Sequence, residues 1–526
     1  MTAERAPGRR AAVGVDFGTA TTLVAEAQAA GPAAIVPIGR STAWLPSLAR
    51  ADGPAIVVGE DADDDGAGPI RSVKRAITDR RTTVTGWGPD GTAVTVEADT
   101  VIAAILAEAA RRAGAAGLAL PDPGREVRLG CPVLWDGAQR RRLLDVAAGV
   151  GLAVDLMEEP VAAGLAWLTH RYLGLDERPA GRLLVFDMGG GTLDVAVMAV
   201  AAGPRPRLAV LAAAGAAVAG DALDIEMARD IAAELAAHRV DVTLHPRPEL
   251  AWALIERAAR EAKTRLSYVD EHPVVLPPAL AYPRAVRYGR ARLEAALRGA
   301  MDGAETLTTA ALRAARARDG LTAAQLRAVG RSDLADDVDY VLLAGGMSRI
   351  PYVGRRLAAL FPRATVYSDA GVAADEAVAV GLADAAGPVR VTMHRPGVDL
   401  VLEFGGGRRH LYEAYTPLFE PWQIYSGYSD VAYGRWLRPP EVPSAGPGRI
   451  RAFGLTGTEV GLSVDGRTGP LPVRFGPDGV ALRLGPDGTV EVGDADGVTR
   501  LFVDGWPAGR DSDRLVLTRL RTPPSP

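Results

Sequence analysis

Two short turns carry the residue types from which a phosphate site can be made. Asp16 is followed by Phe17, Gly18, Thr19, Ala20 and Thr21, and Asp187 by Met188, Gly189, Gly190, Gly191 and Thr192. In each, an acidic residue closes an apolar run, and small residues then expose several backbone N–H groups, a geometry that suits phosphate oxygens. One such turn alone is equally well explained as a hairpin whose glycines serve conformation only. Two of them, each led by an aspartate, point to duplicated halves facing one another across a cleft. Asp16 and Asp187 can hold Mg²⁺ through its waters, because that ion keeps much of its hydration and takes only one or two carboxylates.

The cations give a second pointer. The chain has 526 residues with 59 Lys and Arg, yet only Lys74 and Lys263 are lysines. An ammonium is a compact point charge and a guanidinium a broad planar fork, so lysines kept against this bias mark candidate sites where the fork would not fit. Chance survival of two surface lysines is the other reading.

Composition narrows the class. The 59 basic residues face 64 acidic ones, a net charge of −5 without a long basic block, which argues against nucleic-acid or anionic-membrane partners. The single cysteine, Cys131, excludes an intramolecular disulfide and a cysteine zinc site, and the six histidines do not fall at metal-ligand spacing. The first residues lack the apolar core of a secretory signal, and the apolar stretch 101–110 is too short to span a bilayer. These features lead to the expectation of a cytoplasmic protein.

The elements that would position the two turns are legible in the periodicity. Apolar runs predict strands at 11–17, 34–38, 55–58 and 126–132, with helices over 100–112, from Asp136 and after Pro160. The acidic loop at 61–68 reads as solvated rather than as a cation site. The second half repeats the strand, turn, strand device around Asp187, followed by mostly helical sequence over 220–317. A strand from Asp339 then runs into a helix near Pro351, and a last helix covers 375–386. After Gly387 repeated Gly-Pro-Asp-Gly turns separate short alternating runs, the pattern of a small all-β domain, and the tail 521–526 is expected to be disordered.

The motifs DFGTATT, IRSVKRAI, CPVLWDGAQR, EEPVAAGLAW, VFDMGGGTLDV, REAKTRLS, LLAGGMSRIP and DEAVAVG, in this order over residues 10–385, resemble those of the 70-kilodalton heat-shock chaperone family. The resemblance implies an α/β fold, an actin-like ATPase of two ribonuclease-H-like lobes over 10–388 closing on ATP or ADP with Mg²⁺. A small all-β domain over 389–520 would follow. In the ATPase Asp16 and Asp187 would position the metal, Gly18 and Thr19 would contact the β and γ phosphates, and Gly189, Gly190, Gly191 and Thr192 would cradle them from the other lobe. Lys74 falls on the catalytic lysine, Glu159 on the carboxylate that positions the attacking water, and Asp194 on a polar group beside the γ-phosphate. Lys263 and Ser267 would touch the adenosine, as would Gly345, Gly346, Ser348 and Arg349. Pro132 and Arg140 resemble the pair that relays nucleotide state.

Three positions depart from the pattern: Ala20 replaces a threonine, Arg260 stands where a glutamate contacts the adenosine, and Ala219-Gly220 reduces a glycine pair. The family's acidic leucine-rich linker is poorly matched by VRVTMHRPGVDLVLEF, and no helical lid follows. The resemblance implies an ATP-hydrolysing chaperone whose nucleotide state biases a divergent, lidless sandwich that binds unfolded or extended polypeptides, with a co-chaperone or exchange factor as a further partner. The rival reading is a nucleotide-gated adaptor whose β-domain recognises one specific protein partner and whose hydrolysis is slow or absent. A small-molecule kinase is disfavoured, since no acceptor-binding insert is evident.

Overall fold

The computed structural model describes residues 12–520 except 30, 64–67, 89, 90, 121, 123, 204, 205, 277, 281–284, 386, 388, 428, 429 and 508–513. Part of the acidic loop and the tail 521–526 therefore lie outside the described residues. In the described part of that loop, Asp61 pairs with Arg40, and Asp63 pairs with Arg71 at 3.1 Å and Arg257 at 3.3 Å.

Two sheets of the same design carry the two turns. In the first, the order is Val154–Glu158, Glu126–Cys131, Ala12–Phe17, Thr21–Glu26, Ala34–Val36. The first three strands are parallel and the last three form an antiparallel meander. In the second, the order Thr365–Tyr367, Tyr340–Ala344, Gly181–Met188, Leu193–Ala201, Arg207–Ala216 repeats those directions. The outer parallel step of each sheet is crossed by a helix, Gly137–Gly149 in the first lobe and Pro351–Leu360 in the second. Asp136 caps the former with a reciprocal Gln139 capping box.

The lobes meet along two short apolar helices, Glu159–Thr169 and Ala377–Asp384, which lie between the sheets and are buried almost throughout. Their backbones approach so closely that a Cβ on Gly381 would stand 1.7 Å from Ala162 O, so only glycine fits there. The region read as mostly helical holds the helices Gly220–Ala237, Pro248–Leu266 and Arg290–Ala315, interrupted by a hairpin of Glu271–Val274 and Val286–Gly289.

Beyond Asp384 the described residues form strands and one four-residue helix, Pro421–Ile424. The first of these strands, Arg390–Thr392, joins the second lobe's sheet as its edge, parallel to Arg207–Ala209. The composition shift after Gly387 puts the expected domain boundary at 388/389, next to this strand. The open edge of Arg207–Ala216 supplies the pairing partner. The remaining strands build a five-stranded and a seven-stranded sheet with alternating burial, as in Leu471–Phe475 and Val480–Leu484. Leu400, Ile450, Leu471, Leu482 and Val490 meet between the sheets around Trp506, and one apolar cluster runs from there to the helices between the lobes. Among the described residues, no helix is long and apolar enough to cross a membrane.

Candidate functional site

The two turns close in the same way: Gly18 N–H donates to Thr21 O at 2.9 Å, and Gly189 N–H to Thr192 O at 3.0 Å. They also face each other. A Cβ on Gly191 would lie 2.7 Å from Thr19 Oγ1, and one on Gly190 3.2 Å from Thr19 Cβ, so the chain there has room for backbone and nothing more. Between and beside the turns lies a cavity of about 350 Å³. Asp16, Gly18, Thr19, Lys74, Glu159, Asp187, Gly189, Gly190, Thr192, Lys263, Ser267, Gly345, Gly346 and Arg349 all line it.

Three expected residues stand behind the wall. Asp194 is buried, pairs in register with Asp187, and accepts from Val133 N–H at 2.7 Å. Gly191 packs on Thr19, and Ser348 Oγ donates to Ala344 O at 2.5 Å, which fixes the turn after the strand Tyr340–Ala344.

Lys74 opens the helix Lys74–Thr78, is 4% exposed and forms an ion pair with Glu159, the first residue of its own helix. Burial disfavours the ammonium, but Glu159 and Asp16 outweigh it and raise the Lys74 pKa, so the side chain is charged at neutral pH. Burial pushes the Asp16 carboxyl up to about 7 despite Lys74, with Glu159 adding to the rise. Burial and the neighbouring carboxylates raise Asp187 as well, and Asp194 is pushed up to about 7. Three buried carboxylates, Glu159, Asp187 and Asp194, and the half-buried Asp16 thus share one lysine, and the pocket is short of positive charge. A divalent cation at Asp16 and Asp187 would meet that need, so these residues fit Mg²⁺. Among the described residues no group of three or more His, Cys, Asp or Glu could hold a metal ion, so such a cation would share its coordination with ligand oxygens and water.

At the other end of the cavity Lys263 and Arg260 project from the helix Pro248–Leu266 toward carboxylates of the helix Gly220–Ala237. Lys263 Nζ lies 2.6 Å from Asp224 Oδ1 and donates to Gly220 O at 3.0 Å. Arg260 pairs with Asp224 at 2.7 Å and Asp221 at 3.3 Å, so the charge introduced by this departure is neutralised within the wall. Arg349 donates to Tyr268 Oη at 2.7 Å and pairs with Asp375, forming a flat polar lip. Asp221, Asp224, Tyr268 and Asp375 also line the cavity and were not singled out in the sequence. For Asp221 and Asp224 the advance signal was the cation Arg260, which needs acidic partners when buried, and Asp375 opens the motif DEAVAVG.

Comparison with known proteins agrees with this architecture. The family model described as Hsp70 protein matches residues 12–399, and the chain belongs to the Hsp70 family, whose ATPase is the actin-like, two-lobed α/β fold. It is 30% identical over 400 residues to "Chaperone protein HscA homolog" of Acidithiobacillus ferrooxidans, covering 71% of this chain and 58% of that protein. It is 28% identical over 403 residues to "Chaperone protein DnaK" of Thermosipho africanus, covering 74% of this chain and 61% of that one. The chain thus spans about three fifths of the length of these curated relatives.

Proposed function

We propose that this chain binds Mg²⁺ and ATP between its lobes, hydrolyses the ATP, and uses the nucleotide state to bias the β-sandwich that follows, as a chaperone acting on unfolded or extended polypeptides. The observation that carries the reading is the buried Lys74–Glu159 pair set beside two opposed glycine turns. The backbone N–H groups of Gly18, Thr19, Gly189, Gly190 and Gly191, with Thr192, would hold the phosphate chain. Lys74 would offset charge that develops on the γ-phosphoryl group, Glu159 would orient the attacking water, and Asp194 would fix the turn from behind. Mg²⁺, when bound at Asp16 and Asp187, would neutralise phosphate charge. Lys263, Ser267, Gly345, Gly346, Ser348 and Arg349 would hold the adenosine.

One observation favours the adaptor reading for the sandwich. After Asp384 the described residues form strands and one four-residue helix, and the match to the Hsp70 family model ends at residue 399, before most of the sandwich. Turnover of ATP by the purified chain, with and without unfolded peptides, separates the readings. Stimulation by unrelated peptides is the expected result. Peptide-insensitive turnover with one stably co-purifying protein would favour the adaptor, and no turnover at saturating Mg-ATP would contradict the ATPase itself.

A further inference from the structure

A buried ion cluster sits one residue behind Glu159. Glu158 is 0% exposed, and its Oε1 accepts from Arg140 Nη2 at 2.9 Å and from Arg395 Nη2 at 2.8 Å. Arg140 belongs to the first lobe, where its Nε donates to Trp135 O at 2.9 Å and its Nη1 to Cys131 Sγ at 3.0 Å. Arg395 comes from the segment that leads into the sandwich. Its Nη2 also donates to Val133 O at 2.7 Å and its Nη1 to Tyr415 O at 2.8 Å, while the Tyr415 ring stacks 3.8 Å from Arg140 Cζ.

Two of these contacts end on the scaffold of the ATP site. Val133 takes Arg395 on its carbonyl and gives its N–H to Asp194 at 2.7 Å, so one residue separates the sandwich segment from a carboxylate behind the phosphate turn. Glu158 is the last residue of the strand Val154–Glu158, and the next residue, Glu159, starts the helix and holds Lys74. We propose that Arg395 is a positioning residue of the ATP site: by holding Glu158 and Val133 it sets where Glu159 and Asp194 stand. This rests on the ATPase reading above and adds to it a residue from outside the lobes. The resemblance to the family implied a relay through Pro132 and Arg140 and assigned nothing to Glu158 or Arg395.

The charge balance of the cluster shows what Arg395 adds to it. Two guanidiniums face one carboxylate, and His394 beside them stays neutral, its pKa pushed down to about 3 by burial and by Arg395. The surplus positive charge is met by the carbonyls of Trp135, Val133 and Tyr415 and by the Tyr415 ring. If Arg395 withdraws with the sandwich segment, Glu158 keeps Arg140, which leaves a neutral buried pair. Glu158 Oε1 therefore keeps a guanidinium partner without Arg395, whereas Val133 O loses a charged donor and the strand end loses one of its two anchors.

The test uses the full chain and the variants Arg395→Ala, Arg395→Lys and Glu158→Gln. Single-turnover hydrolysis and Mg-ATP affinity are measured separately, together with amide hydrogen exchange at Val133 and Glu159 in nucleotide-free protein. Arg395→Ala is expected to slow the chemical step by roughly 10- to 100-fold, the scale of a misplaced catalytic group, with affinity within about threefold of wild type. Arg395→Lys should recover part of the rate, because a lysine can still reach Glu158 but cannot also fork to Val133 O. Glu158→Gln with Arg395→Ala should be no slower than the worse single variant, as expected of residues acting in one network. Exchange at Val133 should quicken in Arg395→Ala.

An unchanged rate with unchanged Val133 protection overturns the proposal. So does a loss of rate matched by an equal loss of affinity, which would mark general damage. If wild type itself fails to hydrolyse ATP, the ATPase reading falls, and the positioning claim for Val133 is still decided by the exchange measurement.

Discussion

The two lobes share a scaffold and differ in where it places their polar groups. Each has the same sheet order, the same Asp-x-Gly-x-x-Thr turn closed by the same hydrogen bond, and a short helix entered from acidic residues. The sequences EPVAAGLA from Glu159 and EAVAVGLA from Glu376 repeat nearly residue for residue. Yet the first lobe spends its acidic pair inward: Glu159 holds Lys74, and Glu158 holds Arg140 and Arg395. The second lobe turns Asp375 to the cavity mouth, where it holds Arg349. On the strand after the turn the difference reverses, with Leu23 in the first lobe and Asp194 in the second, each in register with the turn's aspartate. A duplicated frame thus fixes where polar groups can stand, and substitution within it places the buried Lys74–Glu159 pair in one lobe and the Lys263–Asp224 and Arg349–Asp375 pairs in the other.

The largest expected effect comes from spoiling the frame itself. Gly381→Val places side-chain atoms where Ala162 O already lies, and should destabilise the chain by about 3 kcal/mol or more while weakening Mg-ATP binding, read from denaturant melts and titration. Tolerance of valine would mean that the lobes do not depend on this crossing.

Next in size is the acid side of the Glu158 cluster. Burial would raise the Glu158 carboxyl, but Arg395 and Arg140 overcome it and hold the pKa at about 2, below its ordinary 4.5. A lowered folded-state pKa contributes stability that is present above 4.5 and is lost as pH falls toward about 2. At neutral pH the contribution is about 3 kcal/mol by the linkage relation, so the stability gap between wild type and Glu158→Gln should close over that window. A gap that does not change between pH 6 and pH 3 would show that the two guanidiniums do not set the charge of Glu158.

The smallest effect is expected at the adenosine end. Arg260→Ala frees Asp221 and Asp224 from their neutralising partner, and should change ATP affinity about threefold to tenfold while leaving the chemical step alone. A comparable drop in the chemical rate would break the division of labour between the lobes.

Much of this was legible in the sequence because it is local. The two turns are six-residue patterns, and the two lysines stand out against a composition that otherwise uses arginine. The strand and helix runs that carry them follow from periodicity, and Asp136 announces its own cap. What stayed hidden depends on contacts between distant residues with no repeating signal. Glu158 and Arg395 are 237 positions apart, and Arg260 finds Asp224 across 36. The edge strand Arg390–Thr392 is decided by an open sheet edge at Arg207–Ala209, which no window of sequence around 390 reveals. The match between EPVAAGLA and EAVAVGLA was readable from the start, and it points to the crossing helices as directly as the turns point to the cavity.

The central claim is that Lys74 serves the chemical step and Lys263 serves binding. It is tested most directly by measuring Mg-ATP affinity and single-turnover hydrolysis side by side for Lys74→Ala and Lys263→Ala in the full chain. The account predicts that Lys74→Ala binds within a few-fold of wild type and hydrolyses at least roughly 100-fold more slowly, the scale of losing one charge-stabilising donor. Lys263→Ala should lose about tenfold in affinity and keep its rate at saturation, as expected for one charged hydrogen bond. Wild-type hydrolysis by Lys74→Ala, or a slowed chemical step with intact affinity in Lys263→Ala, would contradict it.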